Sequence, residues 1–206
     1  MYIPEHFAET DTQTLYEFMR QHGFVTLVTL HEGVSFANHL PVMLNSSVGT
    51  HGALLGHMAR NNPQWQDLAV VTEVLVVFQG THAYVSPAWY EPHPMSVPTW
   101  NFTAVHAYGK ARILSGPELE TTLHQLVDEH ERAMPQPWKF ELNQMMRERM
   151  LSAIVGFEIL LTRVEGKFKL SQNRTVQDQR NVIEKLSQHE YGKDVAQIMR
   201  KNLERK

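Results

Sequence analysis

Four segments of the sequence place basic, amide and aromatic side chains where predicted strands or helices begin or end. Cationic donors bind oxyanions, amides form directed hydrogen bonds, and flat rings stack on planar groups. Together these side chains suit a planar ligand that carries a phosphate. The residues are Arg60, Asn61, Asn62, Gln79, Ser86, Trp89, Tyr90, Thr99, Trp100, Asn101, Lys169, Gln172, Asn173 and Arg174.

The clearest candidate anion-binding site lies at Arg60. Asn62 and Pro63 follow it and predict a helix start, because Asn caps helices and Pro suits the first helical position. An arginine beside the free N–H groups of a helix start can hold a phosphate. Flavin mononucleotide (FMN) is one ligand of this kind. Capping of strand ends and ordinary core packing explain the same residue types and remain the alternative.

Twelve histidines raise the question of a metal site. Five of them, His51, His57, His82, His93 and His106, are scattered among predicted loops and strands. No HExxH motif occurs, and no two histidines lie four apart on a predicted helix, so we expect no dedicated metal site. The absence of cysteine excludes thiolate ligands and thiol catalysis.

No catalytic or nucleotide-binding motif is present. The sequence lacks GxGxxG, GxxxxGK[ST] and GxSxG, so it offers no dinucleotide fingerprint, P-loop or nucleophile elbow. The catalytic residues, if the protein is an enzyme, are therefore unknown from sequence.

The net charge of −3 excludes a generally basic nucleic-acid binder. With no apolar run of about 20 residues and no leader pattern, we expect a cytoplasmic protein without membrane contact.

Charge is distributed unevenly along the chain. The segment from Lys167 to Lys206 contains ten Lys/Arg and five Asp/Glu residues, which gives it a net charge of +5. The preceding 166 residues have a net charge of −8. If the protein binds DNA, this basic segment is the expected contact, with Arg200, Lys201, Arg205 and Lys206 reaching solvent. A solvated amphipathic helix or an intramolecular clasp would produce the same pattern.

Hydrophobic periodicity and turn residues predict about eight short strands. They are 24–30, 34–44, 53–58, 74–78, 82–86, 102–114, 154–164 and 167–171. Glu32-Gly33 and Glu165-Gly166 are interpreted as hairpin turns, and Thr175 as the cap of a C-terminal helix. Few helices intervene, which favours a β-barrel with α additions over a doubly wound sheet. We expect one domain over 1–174 and a helical extension over 175–206.

The sequence resembles the PaiB family of FMN-binding negative transcriptional regulators. The matching segments run in order and span the chain from Met1 to about Arg174. They are MYIPEHF, GHMARNNPQW, VFQGTHAYVSPAWY, VPTWNFTAVHAYG and GFEILLTRVEGKFKLSQNR.

The resemblance implies an FMN-binding split β-barrel that forms a homodimer with the flavin held between subunits. It also implies a repressor, although no helix-turn-helix is recognisable except weakly around Gly192. Two further functions stay open: a flavin-dependent oxidoreductase acting on a small molecule, and a haem-binding relative. The chain lacks the arginine- and lysine-dense pattern of pyridoxamine-phosphate oxidases, so that activity is not expected.

Overall fold

A computed structural model describes residues 1–70, 73–91, 96–140 and 143–204. His93, Arg205 and Lys206, named above, lie outside the described residues. The described strands are β1 (Ala8–Glu9), β2 (Phe24–His31), β3 (Val34–Asn45), β4 (Ala53–Ala59), β5 (Val74–Val85), β6 (Thr99–Leu114) and β7 (Ile154–Lys169). The described helices are α1 (Thr12–Gln21), α2 (Gln64–Leu68), α3 (Pro117–Glu131), α4 (Gln144–Ser152), α5 (Val176–Ser187) and α6 (Lys193–Glu204).

The strands form one sheet in the order β1-β7-β4-β3-β2-β5-β6, and β6 pairs in addition with β7. This extra pairing joins the two ends of the order, so six strands form a closed ring. The pairs β2–β3, β2–β5, β3–β4, β4–β7 and β1–β7 are antiparallel. Residues of opposite strands, such as Leu27 and Asn38 or Leu55 and Glu158, are register partners.

The chain divides into two compact units. Unit 1 comprises Met1–Leu15, Gln79–Val105 and Glu165–Lys206, and unit 2 comprises Tyr16–Phe78 and His106–Val164. Helices α5 and α6 thus belong to the same unit as β1, whereas the sequence-based boundary at 174/175 treated them as an extension; that boundary stays a prediction. Among the described helices, none is long and apolar enough to cross a membrane.

Each unit has its own apolar core. In unit 2 the fully buried side chains include Phe78, Phe157 and Ile159, and a second cluster forms where Leu119 and Leu123 of α3 pack on Leu55 and Leu114. In unit 1 the core contains Leu170 from the chain after β7, Leu186 from α5, and Val195 and Met199 from α6. The two C-terminal helices are therefore built into a core through their apolar faces.

Two predicted strand breaks are wrong. The strands 74–78 and 82–86 form the single strand β5, and 154–164 and 167–171 merge into β7, which ends at Lys169. Gly80 and Gly166 lie inside these continuous strands, and neither is among the described residues with positive φ. A Cβ at Gly166 would lie 2.9 Å from the Glu9 carbonyl oxygen of β1, so this glycine permits a close strand approach.

Other local predictions are confirmed. Glu32 and Gly33 have φ values of 51° and 80° and make the predicted hairpin turn between β2 and β3. The Thr175 side chain accepts the Asp178 N–H at 3.1 Å and caps α5 as predicted. Short-range turn and cap signals were therefore sufficient where the required backbone geometry is itself local.

Candidate functional site

The residues predicted to bind a ligand are distributed over both units. Arg60, Asn61 and Asn62 belong to unit 2, and all the others, from Gln79 to Arg174, belong to unit 1. Each group has its own surroundings and its own hydrogen bonds. These bonds decide which polar atoms remain available to a ligand.

The Arg60 guanidinium is bonded to the backbone around the start of β7. Its Nε donates to the Ser152 carbonyl oxygen and its Nη2 to the Ile154 carbonyl oxygen, both at 2.7 Å. The Arg60 backbone N–H donates to the Ala153 carbonyl oxygen at 2.9 Å. A phosphate contact of Arg60 thus depends on Nη1, which has no hydrogen bond within the described chain, and on the exposed positive charge. This role stays a prediction.

The backbone N–H groups at the start of α2 largely have acceptors already. The Asn62 N–H donates to the Ala59 carbonyl oxygen, and the Gln64 N–H donates to Asn62 Oδ1 at 3.1 Å. Asn62 therefore accepts a backbone N–H at this helix start, but α2 begins at Gln64 and has only five residues. So short a helix adds little dipole, and the expected backbone donors for a phosphate are reduced.

A buried amide that the sequence did not reveal fixes α2 against β2 and β3. Gln64 is fully buried, and its Nε2 donates to the carbonyl oxygens of Leu27 at 3.1 Å and Phe36 at 3.3 Å. Its Oε1 accepts from Asn38 Nδ2 at 3.0 Å. Because a buried unpaired amide is costly, this saturated set of bonds determines where α2 and the preceding Asn62 lie. The only sequence signal was the position of Gln64 just after Asn62-Pro63.

A carboxylate on the same helix extends this contact. Asp67 is nearly buried, accepts from Thr29 Oγ1 at 3.2 Å, and lies 3.0 Å from His31 Nδ1. The hydrogen bond to Asp67 raises the pKa of His31, partial desolvation opposes it, and the charges of Asp67 and Glu32 add to the rise. Protonated His31 therefore strengthens the link between the end of β2 and α2.

In unit 1, the end of β7 contacts the start of β6 through Lys169 and Thr99. Lys169 Nζ donates to Thr99 Oγ1, and burial, followed by the nearby charge of Lys167, lowers the pKa of Lys169. Trp100, which follows Thr99 on β6, is 53% exposed, and its ring lies edge-on to that of Tyr84 with centroids 5.9 Å apart. Thr99 and Lys169 thus place a hydroxyl beside a cationic donor, and Trp100, the next residue of β6, contributes an exposed ring that contacts Tyr84 and His82.

Two predicted amides are engaged inside unit 1. Asn101 is fully buried, and its Nδ2 donates to Ser171 Oγ at 2.9 Å and to Met199 Sδ at 3.3 Å. Gln172 Oε1 accepts the Leu170 N–H at 2.7 Å, which stabilises the turn where Ser171 has a φ of 65°. Both side chains support the fold, and a direct contact of either with a cofactor stays a prediction.

The remaining predicted residues differ in availability. The Ser86 hydroxyl caps the 3₁₀ turn Pro87–Trp89, and the Arg174 guanidinium lies 4.5 Å over the buried Tyr90 ring. Trp89 stacks on His189 with centroids 6.4 Å apart. Asn61, Gln79 and Asn173 are exposed. Arg174 therefore adds a second cation to unit 1 whose orientation is fixed by an aromatic ring.

The histidines do not converge. No group of three or more His, Cys, Asp or Glu side chains that could hold a metal ion occurs within the described ranges. His57 is half-buried on β4, and burial lowers its pKa, which favours the neutral ring. Its Nδ1 is buried without a hydrogen-bond partner.

Solved structures with the same fold define the class of the protein. The flavocytochrome Anf3 from Azotobacter vinelandii has a TM-score of 0.62 at 12% identity, over 84% of this chain and 73% of that chain. The FAD and heme binding protein from Mycobacterium smegmatis has a TM-score of 0.62 at 11% identity, over 84% and 78%. The chain therefore shares the fold of these two proteins, the split β-barrel, as predicted.

Sequence comparison gives the family. Residues 1–163 match the family model described as "Putative FMN-binding domain". The chain is 38% identical to "Protease synthase and sporulation protein PAI 2" of Bacillus subtilis, over all of this chain and 99% of that protein. It is 31% identical to an uncharacterized protein of Emericella nidulans, over 100% and 99%. The chain belongs to the PaiB family of FMN-binding proteins, and FMN is its cofactor.

The His31–Asp67 contact should make stability depend on pH. Because the folded pKa of His31 is raised above its ordinary value of 6.5, its contribution is complete below pH 6.5 and is lost as pH rises through the folded pKa. His31→Gln should therefore lower the free energy of unfolding more at about pH 5.5 than at about pH 8.5. Urea unfolding measures this, with His51→Gln as the control. A difference between wild type and His31→Gln that does not vary with pH contradicts the interaction.

Substitution of Arg60 tests whether this residue binds the FMN phosphate. Arg60→Ala should weaken FMN binding by about 1.5–3 kcal/mol, the scale of a charge-assisted hydrogen bond. Fluorescence titration measures this, and riboflavin, which lacks the phosphate, should bind both proteins alike. Arg60→Lys keeps the charge and should retain part of the FMN affinity. Equal FMN affinity of wild type and Arg60→Ala removes Arg60 from the site.

Proposed function

We propose that this chain is a homodimeric, FMN-binding negative transcriptional regulator of the PaiB type that works in the cytoplasm. Family membership and full-length similarity to a Bacillus subtilis protein named for protease synthesis and sporulation support the proposal. The observation that carries it is the partly buried Lys169 amino group, which Thr99 holds at the start of β6, because it supplies a fixed cationic donor for a flavin. Bound FMN supplies redox chemistry, which would let gene control follow the redox state of the cell.

Individual residues have separate roles in this proposal. The exposed ring of Trp100 would stack on the flat flavin, and the Lys169 amino group, held by Thr99, would donate to an oxygen of the cofactor. Arg174 adds a cation that Tyr90 holds in place. Fixed donors of this kind orient a cofactor without the entropy loss of ordering free side chains.

The second copy is proposed from an apolar surface on the β2–β3 hairpin of unit 2. Phe24 and Leu30 are 71% and 59% exposed. Along β2, Phe24 and Leu30 lie on the face opposite the buried Val25 and Leu27, since side chains alternate along a strand. A sheet face in contact with water normally carries polar residues, so an apolar one suits an identical surface of a second chain.

Purified protein should show flavin absorbance near about 370 and 450 nm, and the released cofactor should be FMN. Light scattering should give about 48 kDa, twice the chain mass of 23.8 kDa. Phe24→Glu with Leu30→Glu should give monomers, because the change places charges in the apolar contact. Val176→Glu, at a 51% exposed position on α5, is the control and should stay dimeric.

The outcomes separate the parts of the proposal. A haem Soret band near about 400 nm in place of the flavin bands contradicts FMN as the resident cofactor. A monomeric wild-type protein at micromolar concentration that still holds flavin contradicts the dimer.

Direct repression requires a DNA contact, and the C-terminal helices are the candidate. Arg180 and Lys185 of α5 and Lys201 of α6 are exposed. Deleting α6 is a poor test, since Val195 and Met199 are buried in the core of unit 1. Charge removal on the exposed positions leaves that core intact.

The triple variant Arg180→Gln, Lys185→Gln and Lys201→Gln should bind upstream DNA more weakly than wild type and with a shallower salt dependence. Each lost phosphate contact lowers the slope of log K against log salt by about 0.9. Gel shifts at low and physiological salt measure both quantities, and Lys110→Gln on β6 is the matched single-charge control. Equal binding of wild type and triple variant excludes these helices as the contact. No binding by wild type at low salt makes the regulation indirect.

A further inference from the structure

Two lysines project from one face of the last part of β7. Lys167 and Lys169 are two residues apart, so their side chains lie on the same side of the strand. Lys167 Nζ donates to the Tyr2 carbonyl oxygen at 2.9 Å, and Lys169 Nζ donates to Thr99 Oγ1. Each ammonium group is thus held in place by a neutral acceptor, and neither forms an ion pair with any described residue.

The local charge is not balanced. Glu165 is the next carboxylate on this face of β7, and its Oε2 lies 2.6 Å from the Met1 amino group, which neutralises it. Burial lowers the pKa of Lys169, the positive charge of Lys167 lowers it further, and no carboxylate among the described residues offsets these effects. The two partly buried ammonium groups therefore repel each other at a surface where the described part of the chain supplies no free counter-charge.

Aromatic rings border the two lysines. Lys167 Nζ lies 5.4 Å from the ring centroids of both Tyr2 and Phe102, and Lys169 Nζ lies 5.9 Å from that of Phe7. Rings offer partial compensation to a cation, worth less than an ion pair. They also exclude water, so the attraction of an incoming anion is stronger than at an open surface.

We propose that Lys167 and Lys169 together bind an oxyanion, a phosphate or a carboxylate, between their ammonium groups. Residues two apart on a strand have Cα atoms about 7 Å apart. Two lysine side chains from such positions can converge on one oxyanion, each donating a charge-assisted hydrogen bond of about 2.8 Å. The inference goes beyond the proposed function, because it holds for an oxyanion carried by the flavin and for a free one.

The test compares wild type with the double variant Lys167→Gln and Lys169→Gln, using inorganic phosphate, FMN and riboflavin as probes in calorimetric titrations. Wild type should bind phosphate, and the double variant should bind it at least about tenfold more weakly, as expected for the loss of two charge-assisted bonds. Lys110→Gln removes one positive charge at an exposed position of β6 and should bind phosphate as wild type does. Lys169→Arg keeps the charge and should retain binding.

The flavin arms identify the source of the oxyanion. A loss of affinity for FMN but not for riboflavin, with phosphate competing against FMN, assigns the site to the cofactor phosphate. Unchanged affinity for both flavins, with phosphate binding lost, assigns it to a separate anionic ligand. If the protein binds no flavin but binds phosphate through the two lysines, the proposed function is contradicted and this inference is supported. Phosphate affinity that is absent in wild type, unchanged in the double variant, or equally reduced in Lys110→Gln overturns the inference.

Discussion

The unbroken course of β7 is the constraint on which the candidate site residues depend. The strand pairs with β1, β4 and β6, and its first residue, Ile154, accepts a hydrogen bond from Arg60. Its last residues carry Lys167 and Lys169. A turn at Gly166 would have ended this ladder and pointed both lysines elsewhere. Continuity follows because Glu9 of β1 pairs with Gly166, and only a glycine leaves room for that approach.

The sequence was informative wherever the structure is decided locally. The left-handed conformation of Gly33 and the Thr175 cap follow from residue type, and the structure contains both. The merging of predicted strands at Gly80 and Gly166 was not accessible in this way, since it depends on a partner strand that is distant in sequence. The role of Gln64 was hidden for the same reason, because its acceptors lie on β2 and β3.

The candidate site residues differ mainly in whether their polar atoms already have hydrogen-bond partners within the fold. This distinguishes residues that can bind a ligand better than residue type does. Asn101 and Asn173 are the same amino acid, yet the former has its amide bonded within the core and the latter is exposed. Arg60 is intermediate, with two donating nitrogens engaged and one available. A motif marks positions that the family uses, but only the local geometry tells whether a polar group serves the fold or is free for a ligand.

The environment of Lys169 has a chemical consequence of its own. A lowered pKa means that, at any given pH, more of this side chain is neutral amine than in a freely solvated lysine. A neutral amine is a nucleophile, so it attacks acylating reagents and aldehydes, whereas an ammonium group has no free electron pair to do so. A negative charge seated beside it favours the ammonium form and suppresses that reactivity. The rate at which one lysine is acylated thus becomes a chemical reporter of whether the surface around it is occupied.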